Sequence, residues 1–181
     1  MGSPSMANGD AAGHPSPNPI VAESLTWLGT PYHHGARVKG AGADCGQFPA
    51  AVYEACGLVP PIDPGGYPHD WHLHRDDERY LGIVERHFDK VRKLPVASFQ
   101  LSECAGGASI AAAQGVADRF GIPEPGDLAL FRYGRAVSHG SIVVAWPTII
   151  HAYITAGAVV LDDAVANTDL AGRLEGFWRL K

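Results

Sequence analysis

Cysteine and histidine are the side chains of this 181-residue sequence best suited to covalent chemistry, and it contains 3 and 9 of them. The cysteines Cys45, Cys56 and Cys104 are odd in number and form no Cys-x-x-Cys pair, which argues against a disulfide framework or a zinc site. Cys45 stands where a glycine-rich loop meets a predicted helix, so the dipole of that helix is expected to lower its thiol pKa. Because cysteine is more often a small buried residue than a nucleophile, position alone leaves both interpretations of Cys45 open.

A nucleophilic cysteine needs a nearby base, and the base usually needs a partner that orients it. His139 lies at the start of the predicted strand Gly140–Ala145, and His151 lies within the predicted strand Thr148–Tyr153. If the two strands pair across the turn between them, His139 can take the thiol proton while His151 orients its ring. The N–H groups around Cys45 would then hold the oxyanion of a tetrahedral intermediate.

Composition and charge exclude several classes of protein. With 46% hydrophobic and 18% charged residues, the chain has the composition of a folded globular domain. Its net charge of −5 supplies no basic surplus for binding nucleic acid. The longest apolar stretch, 141–158, is interrupted by Pro147 and Gly157, and the N-terminal residues lack the regions of a signal peptide. We therefore expect no nucleic-acid partner, no membrane insertion and no visible secretion signal.

The elements that must position the cysteine and the histidines follow from apolar spacing and from Gly and Pro. Residues 1–18 are expected to be a disordered lead-in that opens with a cloning remnant before Met6, and residues 19–181 one domain. Helical spacing predicts helices over Pro19–Gly29 with Asn18 as cap, Cys45–Cys56 and Asp76–Arg92. Strand patterns cover Asp127–Phe131, Gly140–Ala145, Thr148–Tyr153, Ala158–Leu161 and Gly176–Leu180. Helices followed by strands predict an α+β domain with an antiparallel sheet, and residues 97–118 stay unassigned.

Three blocks of sequence occur in order, and each contains one of the three residues singled out above. They read Gly-Thr-Pro-Tyr and then Asp-Cys in Trp27–Gly46, Pro-Gly-Asp-Leu and then His-Gly-Ser-Ile in Pro125–Val143, and Ile-His-Ala in Ile149–Tyr153. This pattern resembles the NlpC/P60 cell-wall cysteine peptidases, and the interval from His139 to His151 has that family's habitual spacing. The stretches His34–Cys45, Tyr67–Trp71 and Phe177–Arg179 are similar to the branch found in phage tails and gene transfer agents.

The resemblance implies a papain-like fold and hydrolysis of an amide in the peptidoglycan stem peptide, commonly the bond between D-glutamate and the diamino acid. Cys45 would attack, His139 would act as base and His151 would orient it, while the hydroxyl of Tyr32 would assist the oxyanion. No cofactor and no metal are implied. The residues expected to contact substrate are Asp44, which could instead fix its loop, together with His34, Gln47, Ser138 and Trp71.

Two features of the sequence leave alternatives to this interpretation. The family usually has Ser or Leu and then Gly after the Asp-Cys pair, whereas Gly46–Pro49 here places Gln47 beside the nucleophile and removes one helix N–H at Pro49. The loop Tyr67–His74 holds three histidines and an aspartate, a composition that suits zinc, although a surface loop beside the substrate groove is the preferred interpretation.

The resemblance also implies where the protein acts. We expect action at the bacterial cell wall or periplasm, carried by a phage tail or similar particle and in contact with other tail or particle proteins. The alternatives are a catalytically weak or inactive tail-tip or wall-binding module, a secretion-system effector amidase, an endogenous wall-remodelling enzyme, and an acyltransferase on the same fold. An insertion at 97–118 is expected to form a lid or a contact to another protein.

Overall fold

The computed structural model describes residues 18–68, 78–92, 114–116 and 118–181. Several predictions fall elsewhere in the chain and lie outside the described residues. They concern the N-terminal lead-in, Trp71, most of the histidine-rich loop Tyr67–His74, Cys104 and most of the insertion 97–118. Residues 114–116 and 118–120 of that insertion are helical.

Three of the helical segments in the described part of the chain come before the sheet strands of residues 128–180 in the sequence. Helix α1 spans Pro19–Leu25, α2 spans Gln47–Ala55 and α3 spans Arg79–His87. The predicted cap of the first helix is confirmed, because the Asn18 side chain accepts a hydrogen bond from Ile20 N at 2.9 Å. None of the helices among the described residues has the length and apolar character needed to cross a membrane.

The bounds of the described strands are β1 Arg37–Val38, β2 Gly42–Ala43, β3 Phe88–Lys90, β4 Leu128–Tyr133, β5 Ala136–Ala145, β6 Thr148–Tyr153, β7 Ala158–Asp163 and β8 Leu174–Leu180. Six of them form an antiparallel sheet, the second layer of the fold, in the order β3-β8-β4-β5-β6-β7. The other two, β1 and β2, form a separate ribbon in the loop before α2. The predicted α+β class is therefore confirmed.

Successive apolar residues along the strands point to opposite faces of the sheet, so they build a core on each face. On one face, side chains such as Leu130 and Ile150 pack with Phe48 and Val52 of α2. On the other face, neighbouring positions of the same strands form a second cluster that includes Ala129, Phe131, Val143, Ile149 and Phe177. Burial on both faces explains why these strands read as nearly continuous apolar runs.

Several predicted boundaries are wrong, and three of these errors bear on the residues predicted to do chemistry or on the sheet that carries them. Helix α2 begins at Gln47 rather than at Cys45, so Cys45 lies in the turn before it. The predicted helix Asp76–Arg92 ends at His87, because Phe88–Lys90 pairs with the last strand of the chain, a long-range contact that overrides the helical spacing. Strand β5 begins at Ala136 instead of Gly140, so His139 lies inside the strand.

The Pro-Gly-Asp turn before β4 is a structural element. Asp127 is 3% exposed, and Arg179 of β8 donates to both of its carboxylate oxygens, at 2.9 and 2.8 Å. The carboxylate also accepts from Glu124 N at 2.8 Å, which closes the turn. This paired contact holds the turn to the neighbouring strand.

Candidate active site

The predicted nucleophile Cys45 and its predicted base His139 line one cavity of about 320 Å³. Its polar wall includes Tyr32, His34, Asp44, Cys45, Ser138 and His139. Its apolar wall includes Pro49, Tyr53, Ile62, Ile83 and Phe88. The cavity is of a size typical of small-ligand sites, which are largely apolar with a few placed polar groups.

The Cys45 thiol is surrounded by groups that fix its position. Its Sγ donates to the Ser138 carbonyl oxygen at 3.5 Å, and the Tyr32 hydroxyl lies within hydrogen-bonding reach of the sulfur. The N–H groups of Cys45 and Gly46 also face the sulfur. The backbone of Tyr32 is held in place because its N–H donates to the Gly157 carbonyl oxygen at 2.8 Å.

The expected lowering of the thiol pKa is wrong for the resting site. Burial, and secondly the negative charge of Asp44, raise the pKa of Cys45 to about 12. The N–H groups of Cys45 and Gly46 and the Tyr32 hydroxyl act in the opposite direction and do not compensate. The site therefore holds a neutral thiol at neutral pH.

Asp44 fixes the loop that carries Cys45, one of the two roles considered for it. Its Oδ1 accepts from Gly46 N at 3.0 Å and Gln47 N at 2.8 Å, which satisfies free N–H groups at the start of α2. Its Oδ2 accepts from Gly35 N at 2.7 Å and from the Tyr67 hydroxyl at 2.6 Å. The Asp44 carboxylate is 1% exposed and already accepts hydrogen bonds from four donors. These bonds fix the loop without any contribution from substrate.

The two histidines are joined directly, with His139 Nε2 and His151 Nδ1 2.8 Å apart. Strands β5 and β6 pair through Ile142 and Ile150, and both histidines lie an odd number of residues from that pair, which places them on the same face. Phe131 and Tyr133 pack edge-on against His139. His139 is 6% exposed and His151 is fully buried, so their ring positions are tightly determined.

Burial keeps both rings neutral. It lowers the pKa of His139 well below its ordinary value, and the neighbouring His151 acts in the same direction. It also lowers the pKa of His151 to about 4, against the opposing effect of Asp162. A neutral imidazole next to a neutral thiol can act as a base during attack, rather than as half of a preformed ion pair.

A β-bulge delivers the residues around the thiol. Phe131 pairs with His139 and Arg132 pairs with Val137, so Ser138 is the extra residue of β5 at this point. A bulge bends its strand and turns neighbouring side chains, a device common beside active sites. Here it presents the Ser138 carbonyl oxygen to the thiol and keeps His139 on the face of Phe131.

Of the remaining residues predicted to contact substrate, some line the cavity and others do not. His34 lines the cavity, and its Nε2 lies 2.9 Å from the Tyr67 carbonyl oxygen. Ser138 also lines the cavity, whereas Gln47 is 6% exposed and is not among the lining residues. The Gln47 side chain hydrogen-bonds the Tyr67 hydroxyl, and its Oε1 has no partner among the described residues. Trp71 lies outside the described residues.

Tyr80 of α3 is a cavity residue that the sequence did not indicate. A Cβ at Gly140 would overlap its hydroxyl and would lie 3.4 Å from the Cys45 carbonyl oxygen, so the glycine makes room for the phenol beside the nucleophile. Burial, and then the charges of Cys45 and Asp44, raise the pKa of Tyr80. Its helix was predicted, but no spacing in the sequence relates α3 to Gly140, so only the packing reveals the contact.

Solved structures with the same fold are NlpC/P60 domains and a related amidase. An NlpC/P60 family protein from Bacillus cereus superposes with a TM-score of 0.54 at 16% identity, over 91% of this chain and 40% of that one. A lipoprotein-like NLP/P60 family protein from Staphylococcus aureus gives 0.52 at 18% identity, over 93% and 45%. An N-acetylmuramoyl-L-alanine amidase from Bacteroides uniformis gives 0.53 at 12% identity, over 90% and 97%.

These likenesses establish the NlpC/P60 papain-like fold. This chain spans less than half the length of the Bacillus cereus and Staphylococcus aureus chains. No protein-family model and no curated protein matches the sequence.

Proposed function

We propose that the protein is a cysteine peptidase that hydrolyses an amide of the peptidoglycan stem peptide. One observation carries the proposal. The Cys45 thiol and the His139 ring line the same cavity, and His139 is bonded at 2.8 Å to a second buried histidine. Nucleophile, base and orienting group are the three parts that thiol hydrolysis needs. The names of the neighbours with the same fold, which include a muramoyl-alanine amidase, support peptidoglycan as the substrate.

The bond between the two histidines supports one proton path for the first step. Because Nε2 of His139 is engaged with His151, Nδ1 is the nitrogen available to the thiol. As the sulfur attacks the carbonyl carbon, the thiol proton passes to Nδ1 and the carbonyl oxygen becomes an oxyanion. Burial raises the pKa of Tyr32, and the charge that Cys45 gains on ionising and the charge of Asp44 act in the same direction, so the Tyr32 hydroxyl stays protonated and can donate to that oxyanion.

The second half returns the site to its starting state. The proton on His139 Nδ1 goes to the leaving nitrogen, the C–N bond breaks, and a thioester to Cys45 remains. Water then loses a proton to His139 and attacks the thioester, the C–S bond breaks, and His139 returns that proton to the sulfur. The products are the neutral thiol and a carboxylic acid, which ionises in water. The family resemblance adds that the bond cut joins D-glutamate to the diamino acid, and that the enzyme is carried by a phage tail or similar particle. Both are parts of the proposal.

Digestion of purified sacculi tests the proposal. We expect the native chain to release fragments with a new free amine, and mass spectrometry of the fragments identifies the bond. Cys45→Ala should reduce the release to background, while Cys56→Ala, which removes a cysteine outside the cavity lining, should leave it unchanged. No new amine from the native chain, or undiminished release by Cys45→Ala, would contradict the peptidase.

A second candidate, a wall-binding module with little turnover, is favoured by one observation. The pKa of Cys45 is raised to about 12 in the resting site, which leaves little thiolate at neutral pH. Co-sedimentation with sacculi separates the candidates when combined with digestion. A native chain that sediments with sacculi and releases no amine is a binding module, whereas release that depends on Cys45 identifies the peptidase.

A further inference from the structure

The outer nitrogen of His151 faces a carboxylate from the next strand. His151 Nε2 lies 3.3 Å from Asp162 Oδ2, and among the described residues this carboxylate is the hydrogen-bonding partner within reach of that buried nitrogen. The side chain of His151 is fully buried, whereas that of Asp162 is 23% exposed. The carboxylate is therefore the polar group placed to hold this end of the ring.

The register of the sheet puts Asp162 in that place. Ile149 pairs with Asp162 and His151 pairs with Val160, so Asp162 and His151 are diagonal neighbours on one face of β6 and β7. The carboxylate is itself held, because Oδ1 accepts from Asp163 N at 2.8 Å and Oδ2 accepts from the Asn167 side chain. Its orientation is determined before any substrate binds.

The contact selects the tautomer of both histidines. A carboxylate accepts hydrogen bonds only, so Nε2 of His151 carries a proton and Nδ1 of His151 is unprotonated. The 2.8 Å bond then requires His139 Nε2 to donate to His151 Nδ1. His139 Nδ1 is consequently left with a lone pair, which is the form that can accept a proton from Cys45.

We propose that Asp162 is a positioning residue that acts through His151 to keep His139 in the tautomer that can serve as base. The role rests on the proposed peptidase function. When His139 accepts the thiol proton and becomes a cation, the same carboxylate stabilises the charge through His151. Without Asp162, His151 can hold its proton on Nδ1 and donate to His139 Nε2, which moves the His139 proton to Nδ1 and leaves that nitrogen unable to accept a proton from Cys45.

Asp162→Asn tests this directly, because the amide can donate to His151 Nε2 and so favours the other tautomer. We expect kcat for sacculus digestion to fall by up to about 10⁴-fold, the loss seen when the carboxylate that orients a catalytic histidine is replaced by an amide, with KM little changed. Asp163→Asn is the matched control. Asp163 is the next residue and accepts from Val165 N and Ala166 N in the same turn, so its variant perturbs the loop without removing the carboxylate from His151.

Ring nitrogen chemical shifts measured by ¹⁵N NMR provide a readout that does not depend on turnover. In the native chain and in Asp163→Asn we expect His139 to be protonated at Nε2 and His151 at Nε2. In Asp162→Asn both protons should move to Nδ1. Unchanged shifts in Asp162→Asn, or an equal loss of kcat in both variants, would overturn the positioning role. A native chain with the expected shifts but no released amine would contradict the proposed function and leave the tautomer assignment intact.

Discussion

At the scale of single residues, the surroundings of Cys45 matter more than its place before a helix. The start of α2 does supply N–H groups, but Asp44 occupies those of Gly46 and Gln47 with a carboxylate oxygen. The same carboxylate adds a negative charge next to a partly buried thiol, and the pKa of the thiol rises. These surroundings favour the neutral thiol over the thiolate in the resting site.

Alkylation of Cys45 by iodoacetamide measures this resting state. In a Cys56→Ser, Cys104→Ser background we expect slow alkylation at pH 7 and a rate that rises about tenfold per pH unit to pH 9, because the thiolate is the reactive form. Asp44→Asn should alkylate faster at each pH, since it removes the charge that raises the thiol pKa. A rate that is flat from pH 6 to 9 would indicate a preformed thiolate–imidazolium pair and contradict the expectation.

At the scale of elements, α3 and β5 approach closely where Tyr80 meets Gly140. A methyl group at Gly140 would overlap the Tyr80 hydroxyl, so the phenol would have to move away from the cavity. The other glycine of interest, Gly82, lies within α3 itself, and a methyl group added there would have nothing within 4 Å. Comparing substitutions at the two glycines therefore distinguishes the effect of packing at the site from the effect of helix propensity.

The two Gly→Ala variants should change the free energy of unfolding in opposite directions. Gly82→Ala is expected to raise the free energy of unfolding by about 0.5–1 kcal/mol, because alanine costs less backbone entropy in a helix. Gly140→Ala is expected to lower it and to reduce sacculus digestion. Urea denaturation and digestion assays measure both, and adding Tyr80→Phe to Gly140→Ala should recover part of the stability. Equal stability of the two single variants would show that the contact is easily relieved.

At the scale of the whole molecule, the sheet buries two histidines whose neutral form is favoured by the fold. Burial lowers the pKa of His139 and that of His151, the latter to about 4. An unfolded histidine titrates near its ordinary pKa of about 6.5. Below that pH the unfolded chain binds more protons than the folded chain, so the free energy of unfolding decreases as the pH falls.

Stability should therefore be lost between about pH 6.5 and pH 4 and stay level above about pH 7. Urea denaturation at half-unit steps from pH 7.5 to 5 measures this loss before most carboxylates titrate. His33→Asn, which removes a histidine outside the buried pair, should keep the same dependence. A free energy of unfolding that is unchanged between pH 7 and pH 5 would contradict the buried neutral pair.

The sequence by itself was sufficient for the fold class and for the order of helices α1 to α3 and strands β4 to β8, because apolar spacing and turn residues are local signals. Asn18 was recognised as a cap, and strand β6 was predicted with its observed bounds, Thr148–Tyr153. The choice of Cys45, His139 and His151 as a group came from ordered blocks of sequence rather than from any one position. Their catalytic roles stay predictions.

Only the tertiary structure determined the chemical state of that group. The raised pKa of Cys45 depends on burial and on the charge of Asp44, and burial exists only in the fold. The strand Phe88–Lys90 and the approach of Tyr80 to Gly140 arise from contacts between distant segments, which spacing cannot encode. The contact of Asp162 with His151 likewise requires the register of two paired strands, since a shift of one residue would turn the carboxylate to the other face.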